Sequence, residues 1–286
     1  SEGLDHGPSS VISRYYGGVY FSWEQALALD ARLEMAHKVA EPARDQLLAV
    51  LMSVASDIVN TVGKQFAQPI RPRDSRGQPK LHLVRQTLRD RRLDVSDLTE
   101  CWLRRYAAIP RARLNHQAVR GDFEEVLEKH VLTVDLVYAD PPYTRDHYSR
   151  YYHVLETMAV RDEPPVSTTT IRANGLPRLS RGLYRDKRHQ SPFCIKSKAP
   201  SAFNTLCHKV ASAGKPLLIS YSPYKEQEGN RPRLLTIREL REIAESHFKF
   251  VSVGEVDGVT HNKFNIDERN VSVDYAAEIL MLCRPS

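Results

Sequence analysis

The sequence predicts an α/β protein in which helices cover a central sheet in three layers, joined to a helical insertion. Two apolar runs, at 134–139 and 216–221, are typical of buried strands. From residue 114 onward, short strand patterns alternate with helical patterns, whereas the upstream periodicity is helical. The 286 residues are enough for one large domain or for a domain with a subdomain.

Local end signals predict the first two helices. Ser22 and Gln25 have the spacing of a capping box, which predicts a helix over 23–39. Pro42 suits the first turn of a second, largely buried helix, which we expect to end at Gly63. The residues before this pair, 1–22, are treated as a separate N-terminal segment.

A strongly basic stretch follows these helices. Residues 64–80 read as a loop, and helical patterning resumes over 81–92 and again after Ser96. Between residues 71 and 120 there are 13 Lys and Arg against five Asp and Glu, a net charge of +8, while the whole chain carries +6. A solvated helical face explains any single arginine, but the regional excess favours phosphate contacts. We therefore expect 23–113 to be a helical, basic subdomain with target recognition as its candidate role.

Residues 114–286 are expected to form the sheet-containing core. Its predicted strands lie at 114–119, 134–139, 216–221, 248–256 and 271–283. Its predicted helices lie at 123–130, 148–160, 198–213 and 236–246. The last two strands are expected to pair in antiparallel fashion. A basic loop over 161–190 is too long for a simple connection, and loops of this length are usually functional or mobile.

The stretch that ends the second predicted strand carries the most specific chemistry. Asp140 stands where the apolar run ends, and two prolines with fixed φ make the following turn stiff. The Asp140 carboxylate and the Pro141 carbonyl suit an exocyclic amino group on a planar base, since both accept hydrogen bonds. Tyr143 offers a ring on which that base can stack. A Pro-rich turn with no such role is the alternative.

Several classes of protein are disfavoured by the composition. There is no apolar run of about 18 residues, which excludes a transmembrane helix, and the first residues lack the features of a signal peptide. The histidines and cysteines lack metal-site spacing, so no metal is expected. The cysteines are expected to be free thiols in a reducing cytosol, and we therefore expect a cytoplasmic location. The chain does not begin with Met, from which we expect that it is cut from a longer polypeptide. The four cysteines are Cys101, Cys194, Cys207 and Cys283.

The run Asp140-Pro-Pro-Tyr-Thr-Arg-Asp-His-Tyr-Ser-Arg-Tyr-Tyr-His-Val-Leu-Glu156 resembles the DNA adenine methylases of the D12 class, including methyltransferases of restriction–modification systems. Three shorter pieces are also similar: Tyr16-Gly-Gly-Val-Tyr-Phe-Ser22, Asn60-Thr-Val-Gly63 and Ser220-Tyr-Ser222. The resemblance covers about residues 14–283. It implies a Rossmann-like methyltransferase sheet of the seven-stranded type, S-adenosylmethionine as cofactor and duplex DNA as substrate.

The resemblance also implies roles for individual residues. The catalytic turn, Asp140, Pro141, Pro142 and Tyr143, would hold an adenine flipped out of the duplex. Gly121 and Asp122, together with Asp140, would lie at the cofactor, with helix capping by Asp122 as the alternative. The residues expected to contact DNA are Tyr148, Tyr152, Arg71, Arg73, Arg145, Arg181 and Arg185.

The neighbours of this turn have weaker assignments. Tyr148, Tyr152, His153 and Glu156 have the spacing of one helical face. The two tyrosines would line the groove for the base or the DNA, and the other two would brace the loop. Tyr221 and Ser222 would border the pocket, with packing at a strand end as an equal alternative.

One departure from the family pattern is clear. The sequence contains no Gly-x-Gly, the turn that cradles the methionine end of the cofactor in the family. The predicted sheet is therefore incomplete at its N-terminus. An upstream segment, a second polypeptide, or a catalytically inactive chain that only binds nucleic acid would each explain this absence.

The predicted function is that of a DNA adenine N6-methyltransferase, or of its target-base half, in a restriction–modification or phage-defence system. The alternative is an inactive, methyltransferase-like DNA-binding subunit of a defence complex. Methylation of cytosine N4, RNA adenine or a protein glutamine is a further rival. Related motifs for the other amino groups usually begin with Ser or Asn, so Asp140 favours adenine.

Overall fold

The computed structural model describes residues 10–110, 112–170, 175–222, 233–256 and 278–285. The chain divides into two compact units, which we call the helical unit (Ser1–Arg113 with Ser149–Arg188) and the sheet unit (Leu114–Tyr148 with His189–Ser286). Residues 149–188 group with the helical unit, because they pack on its helices. A target-recognition subdomain at 23–113 and a catalytic core at 114–286 stay predictions.

Ten α-helices are present in the described ranges: α1 (Val11–Tyr16), α2 (Trp23–His37), α3 (Ala43–Ile58), α4 (Leu81–Arg91), α5 (Val95–Ala107), α6 (Phe123–His130), α7 (Tyr148–Tyr151), α8 (His153–Val160), α9 (Ala199–Ser212) and α10 (Ile237–Glu245). Six strands accompany them: β1 (Val137–Ala139), β2 (Thr168–Thr170), β3 (Pro177–Leu179), β4 (Leu217–Tyr221), β5 (Phe250–Val256) and β6 (Glu278–Arg284). Short 3-10 helices lie at Val62–Lys64, Val131–Thr133 and Pro192–Cys194.

The predicted capping box begins α2. The Ser22 hydroxyl accepts from the Gln25 amide at 3.1 Å, and the Gln25 side chain accepts from the Ser22 amide at 3.0 Å. The sequence analysis missed α1. Its first amides donate to the buried Asp30 carboxylate of α2, at 2.8 Å each from Ile12 and Ser13. This cap comes from a residue distant in sequence, so no local signal marks it.

The second helix ends earlier than predicted. α3 ends at Ile58, because Val59 has non-helical dihedral angles, φ −57° and ψ 131°. The backbone of the next residue forms hydrogen bonds with segments outside the helix. The Asn60 amide donates to the Tyr20 carbonyl at 2.9 Å, and its carbonyl accepts from Ile70 at 3.2 Å. Gly63 lies beyond this point, in a short 3-10 turn, with φ of 76°.

The predicted long loop contains a hairpin. β2 and β3 pair in antiparallel register, with Thr168 opposite Leu179 and Thr170 opposite Pro177. Within the described residues these strands form a two-stranded sheet of their own in the helical unit. The prediction of a loop over the whole of 161–190 was therefore wrong in this part, since a short hairpin with exposed side chains lacks a hydrophobic alternation to reveal it.

The sheet unit contains a four-stranded sheet in the order β1-β4-β6-β5. β1 runs parallel to β4, while β6 pairs antiparallel with both β4 and β5. The predicted antiparallel pair of closing strands is confirmed over 278–284, and 271–277 lie outside the described residues. This mixed α/β arrangement is compatible with a methyltransferase sheet, but the described strands account for only four of the seven expected.

One predicted strand is wrong. Residues 112–120 form neither helix nor strand, and Leu114 is 74% exposed. The segment Leu114-Asn-His-Gln-Ala-Val119 has one β-branched residue, and its Asn and Ala are of types depleted in strands, so its composition does not favour a strand. Helices α6, α9 and α10 are present as predicted within one or two residues. Buried side chains of β4, such as Leu217 and Ile219, share one apolar cluster with α9.

Candidate active site

The Asp140–Tyr143 turn begins where β1 ends. The first amide of the strand, Val137, donates to the Pro216 carbonyl at 3.1 Å, and Ala139 lies opposite Ile219 of β4. Because β1 and β4 are parallel, their carboxyl ends reach the same edge of the sheet, where open α/β sheets bind ligands. At this edge Asp140 is exposed and Pro141 is buried.

The ring of Tyr143 is held from two sides. Tyr221, at the end of β4, packs edge-on against it, with the ring centroids 5.6 Å apart. The guanidinium carbon of Arg233 lies over the ring at 4.6 Å from its centroid. The Tyr143 carbonyl accepts from the Leu234 amide at 3.1 Å. The half-buried ring therefore has a fixed position at the end of β1.

The segment 233–235 is itself fixed to the end of β4. The Tyr221 hydroxyl donates to the Leu235 carbonyl at 3.0 Å and accepts from the Leu235 amide at 3.2 Å. The Arg233 guanidinium donates to the Ser222 hydroxyl at 2.5 Å. Tyr221 and Ser222 were predicted to border the pocket. Arg233 was not predicted, since no pattern in the sequence links this arginine to Tyr143.

Burial sets the protonation of both rings. It raises the pKa of Tyr143, and the Arg233 charge offsets part of that rise. Burial likewise raises the pKa of Tyr221. Both phenols are thus neutral at physiological pH, and Tyr143 offers an uncharged aromatic face. The turn can accept two hydrogen bonds from an amino group, through Asp140 and Pro141, and stack a ring.

The residues predicted at the cofactor have a structural role. The Asp122 side chain accepts from the Glu124 amide at 2.9 Å and so caps α6, which confirms the alternative weighed for it. A side chain at Gly121 would meet Val126 at 2.9 Å, which explains the glycine by close packing. No strand precedes this pair in the described residues, contrary to the prediction. A cofactor contact here stays a prediction.

The predicted helix over 148–160 is broken. α7 ends at Tyr151, α8 begins at His153, and Tyr152 between them has φ of −117° and ψ of 5°. The i, i+4 relation of Tyr148 to Tyr152 therefore does not place them on one helical face, although both are exposed. His153 is fully buried among tyrosines, and its Nδ1 donates to the Arg150 carbonyl at 3.0 Å, so it braces the fold.

The arginines predicted to contact DNA fall into different environments. Arg71 and Arg181 line the same cavity of the helical unit. Arg73 donates to the Gly77 carbonyl at 2.8 Å within its own loop. In the sheet unit, Arg145 lines a separate cavity of about 680 Å³. Arg185 donates to Asp162 from both terminal nitrogens, at 2.6 and 2.5 Å, which engages its guanidinium within the protein.

Neither a metal-binding cluster nor a membrane-spanning helix is present among the described residues. In the described parts of the chain, no group of three or more His, Cys, Asp or Glu side chains is placed to hold a metal ion. Among the helices of those same parts, none has the length and apolarity needed to span a membrane.

Comparison with known proteins gives three findings. The family described as D12 class N6 adenine-specific DNA methyltransferase matches residues 104–178. The type II methyltransferase M.FokI of Planomicrobium okeanokoites is 29% identical over 238 residues, which cover 80% of this chain and 29% of the relative. The modification methylase LlaI of Lactococcus lactis subsp. lactis is 28% identical over 210 residues, 71% of this chain and 28% of the relative.

The resemblance to D12 class methyltransferases is therefore confirmed, and the similarity to modification methylases supports the prediction of a site-specific DNA methyltransferase. The chain spans less than a third of the length of these curated relatives, at 29% and 28%. No solved structure matches the chain.

Proposed function

We propose that this chain supplies the target-base side of an S-adenosylmethionine-dependent DNA adenine N6-methyltransferase that serves a restriction–modification or phage-defence system. The two relatives are named as a type II methyltransferase and a modification methylase, and this supports the proposed setting. The chain spans under a third of the length of either relative, so we also propose that it acts as part of a complete enzyme.

One observation carries the proposal. The Asp140–Tyr143 turn lies at the carboxyl end of a parallel strand, with its aromatic ring fixed by Tyr221 and Arg233. An adenine flipped out of duplex DNA would stack on Tyr143 and donate from its N6 amino group to Asp140 and to the Pro141 carbonyl. These acceptors are already in place before the base arrives, which is the condition for electrostatic preorganisation.

The residues of the turn orient the amino nitrogen. With both N–H groups directed at acceptors, its lone pair points away from Asp140 and Pro141, towards the position where a methyl donor must lie. No strong base is needed beforehand, since the nitrogen becomes acidic only as it is alkylated. Asp140 would then accept a proton or pass it to water. When bound, S-adenosylmethionine supplies the methyl group as a sulfonium.

The residues present fit the base but not the whole cofactor. The sequence has no Gly-x-Gly, and Asp122 is engaged in capping α6. We infer that an upstream segment or a second polypeptide holds the methionine end of the cofactor. The open edge of β1 supports this. Within the described residues β1 pairs only with β4, and its Tyr138 side chain is 58% exposed. Strands added there would extend the sheet towards seven.

The test is transfer of a labelled methyl group from S-adenosylmethionine to duplex DNA, with nucleoside analysis of the product. We expect label in N6-methyladenine for the enzyme that contains this chain. Asp140→Ala should lower transfer by at least about 100-fold, the typical loss when one preorganised polar group is removed. The matched control is Asp135→Ala, an exposed aspartate just before β1. Equal turnover of the Asp140 and Asp135 variants would remove the proposed role.

A second candidate function is a DNA-binding subunit that performs no chemistry. The absence of Gly-x-Gly from the sequence favours it, whereas the ordered Asp140–Tyr143 turn favours the first. Calorimetric titration with S-adenosylmethionine, with and without duplex DNA, separates the two. Cofactor binding by the assembled enzyme supports methylation, and binding of DNA without any cofactor affinity supports the second candidate. Label in cytosine, RNA or protein would point to the other amino groups.

A further inference from the structure

The helical unit contains a cavity that the proposed chemistry does not use. Its volume is about 540 Å³, within the range of small-molecule sites. All its lining residues belong to this unit, and they come from the Gly18 turn, Asn60 after α3, the 69–72 loop, α4, β3 and the segment that continues from it. The polar side chains that carry the argument are Asn60, Thr87, Arg71, Arg91, Arg178 and Arg181.

The wall of this cavity is basic and lacks counter-charges. Four arginines line it, and none of the lining residues is acidic. Arg91 has a fixed position, because it donates to the Gly18 carbonyl at 2.8 Å. Arg71, Arg178 and Arg181 are exposed. Guanidinium groups in such an arrangement suit the oxygens of a phosphodiester, which they can bind in a bidentate manner.

The interior of the cavity has a specific polar group. Asn60 is 1% exposed, and backbone hydrogen bonds to Tyr20 and Ile70 fix it on both sides. Its Oδ1 accepts from the Thr87 hydroxyl at 3.3 Å. Its Nδ2 is shielded from solvent and has no hydrogen-bond partner among the described residues. A buried amide donor left without an acceptor costs about 1–3 kcal/mol, so a ligand acceptor would explain its retention.

We propose that this cavity binds one nucleotide of the DNA and reads its base, at a site separate from the Asp140–Tyr143 turn. The arginines hold the phosphate, and Asn60 Nδ2 donates to the base. Adenine fits best, because an Asn amide pairs with adenine N7 and N6, and Oδ1 keeps a second lone pair beside Thr87. The inference deepens the proposed function, since it takes DNA as the substrate and names a specificity-determining residue.

The arginine part is tested by fluorescence anisotropy of the full protein on duplex DNA over a range of salt concentrations. Arg71→Ala, Arg178→Ala and Arg181→Ala should each weaken binding on every sequence, and together they should lower the salt slope by about one, because the three side chains share one phosphate. The matched control is Arg104→Ala, which removes the same charge from α5, outside the cavity, where Arg104 pairs with Glu100. Salt slopes indistinguishable from that of the control would overturn the phosphate assignment.

The base-reading part is tested by selection from a pool of randomised duplexes and sequencing of the bound DNA. The wild-type protein should enrich adenine at one position, and Asn60→Ala should reduce that preference by about 5- to 150-fold. Thr87→Val, which keeps the side-chain shape, provides a second variant should Asn60→Ala unfold in a thermal melt. We expect it to weaken the same position. Unchanged preference in a folded variant, or no DNA binding by the wild-type protein, overturns the inference.

The readout separates this inference from the proposed function. Methyl transfer is read with Asp140→Asn, and the cavity is read with the Arg71, Arg178, Arg181 and Asn60 variants. If no methyl transfer is found while the cavity variants change binding as described, only the proposed function fails. If methyl transfer depends on Asp140 while the cavity variants bind like Arg104→Ala, only the nucleotide site fails.

Discussion

Arg233 lies over the ring of Tyr143, with 4.6 Å between the guanidinium carbon and the ring centroid. The same guanidinium donates to Ser222, just past the end of β4, at 2.5 Å. One side chain thus joins the aromatic ring of the Asp140–Tyr143 turn to the neighbouring strand end. Because the cation occupies one side of the ring, a base bound as proposed would have the remaining exposed part of Tyr143 for stacking.

Removal of this cation should loosen the ring. We expect Arg233→Ala to lower methyl transfer by about tenfold and to lower the melting temperature by about 2–4 °C, as a cation–π contact contributes about 1 kcal/mol. Arg233→Lys should retain part of the activity, since it keeps the charge but loses the planar donor. The control is Arg238→Ala, an exposed arginine paired with Glu242 on α10. Equal transfer rates for the Arg233 and Arg238 variants would contradict the positioning role.

Arg185 should act on stability rather than on DNA binding. Its guanidinium donates to Asp162 at 2.6 Å and to the buried Thr157 hydroxyl at 3.0 Å. Arg185→Ala leaves Asp162 without its cation, which we expect to lower the free energy of unfolding by about 1–3 kcal/mol in urea denaturation. The salt slope of DNA binding should stay unchanged, in contrast to Arg181→Ala. A reduced slope with unchanged stability would restore the DNA contact first predicted for it.

His153 should make stability depend on pH. Burial among Tyr16, Tyr20 and Tyr184 lowers its pKa from 6.5 to about 4. The unfolded chain therefore binds the proton more readily than the folded protein between these values. Its contribution is fully present above pH 6.5 and is lost as the pH falls towards 4, on the order of 3 kcal/mol.

The check is urea denaturation of the wild type and of His153→Phe between pH 4.5 and 7.5. Phenylalanine keeps an aromatic ring in the cluster and removes the titrating group, although it also removes the hydrogen bond to Arg150. We expect the difference in unfolding free energy between the two proteins to change with pH across this window. A difference that is constant with pH would show that His153 is not the titrating group.

Elements with local signals could be predicted from the sequence. The capping box of Ser22 and Gln25 gave the start of α2, and the apolar run of β4 gave a central strand. α1 escaped prediction because its cap is the Asp30 carboxylate of another helix. The strand predicted at 114–119 is absent, because this segment has one β-branched residue and no strand pairs with it in the described chain.

In the candidate site, too, only residues that are adjacent in the sequence could be predicted. The Asp140–Tyr143 turn was visible because an apolar run, a carboxylate and two prolines are adjacent in sequence. The prediction that this run is a buried strand over 134–139 was wrong, since β1 covers only Val137–Ala139 and Leu136 and Tyr138 are 45% and 58% exposed. Arg233 was not, because its contact with Tyr143 depends on how two strand ends meet in the sheet. The cavity around Asn60 likewise required three dimensions, since it brings arginines from distant segments together. Arginine counts predicted its charge, but only the fold distinguishes Arg181 from Arg185.

β1 is three residues long and, in the described chain, is paired along one side only. Short edge strands open locally at low free energy, so their amide protons exchange with solvent faster than those of a central strand such as β4. The turn with Asp140 follows this strand directly. A strand added on the open side would slow amide exchange in 137–139 and leave unchanged the position of the Tyr143 ring, which Tyr221 and Arg233 fix.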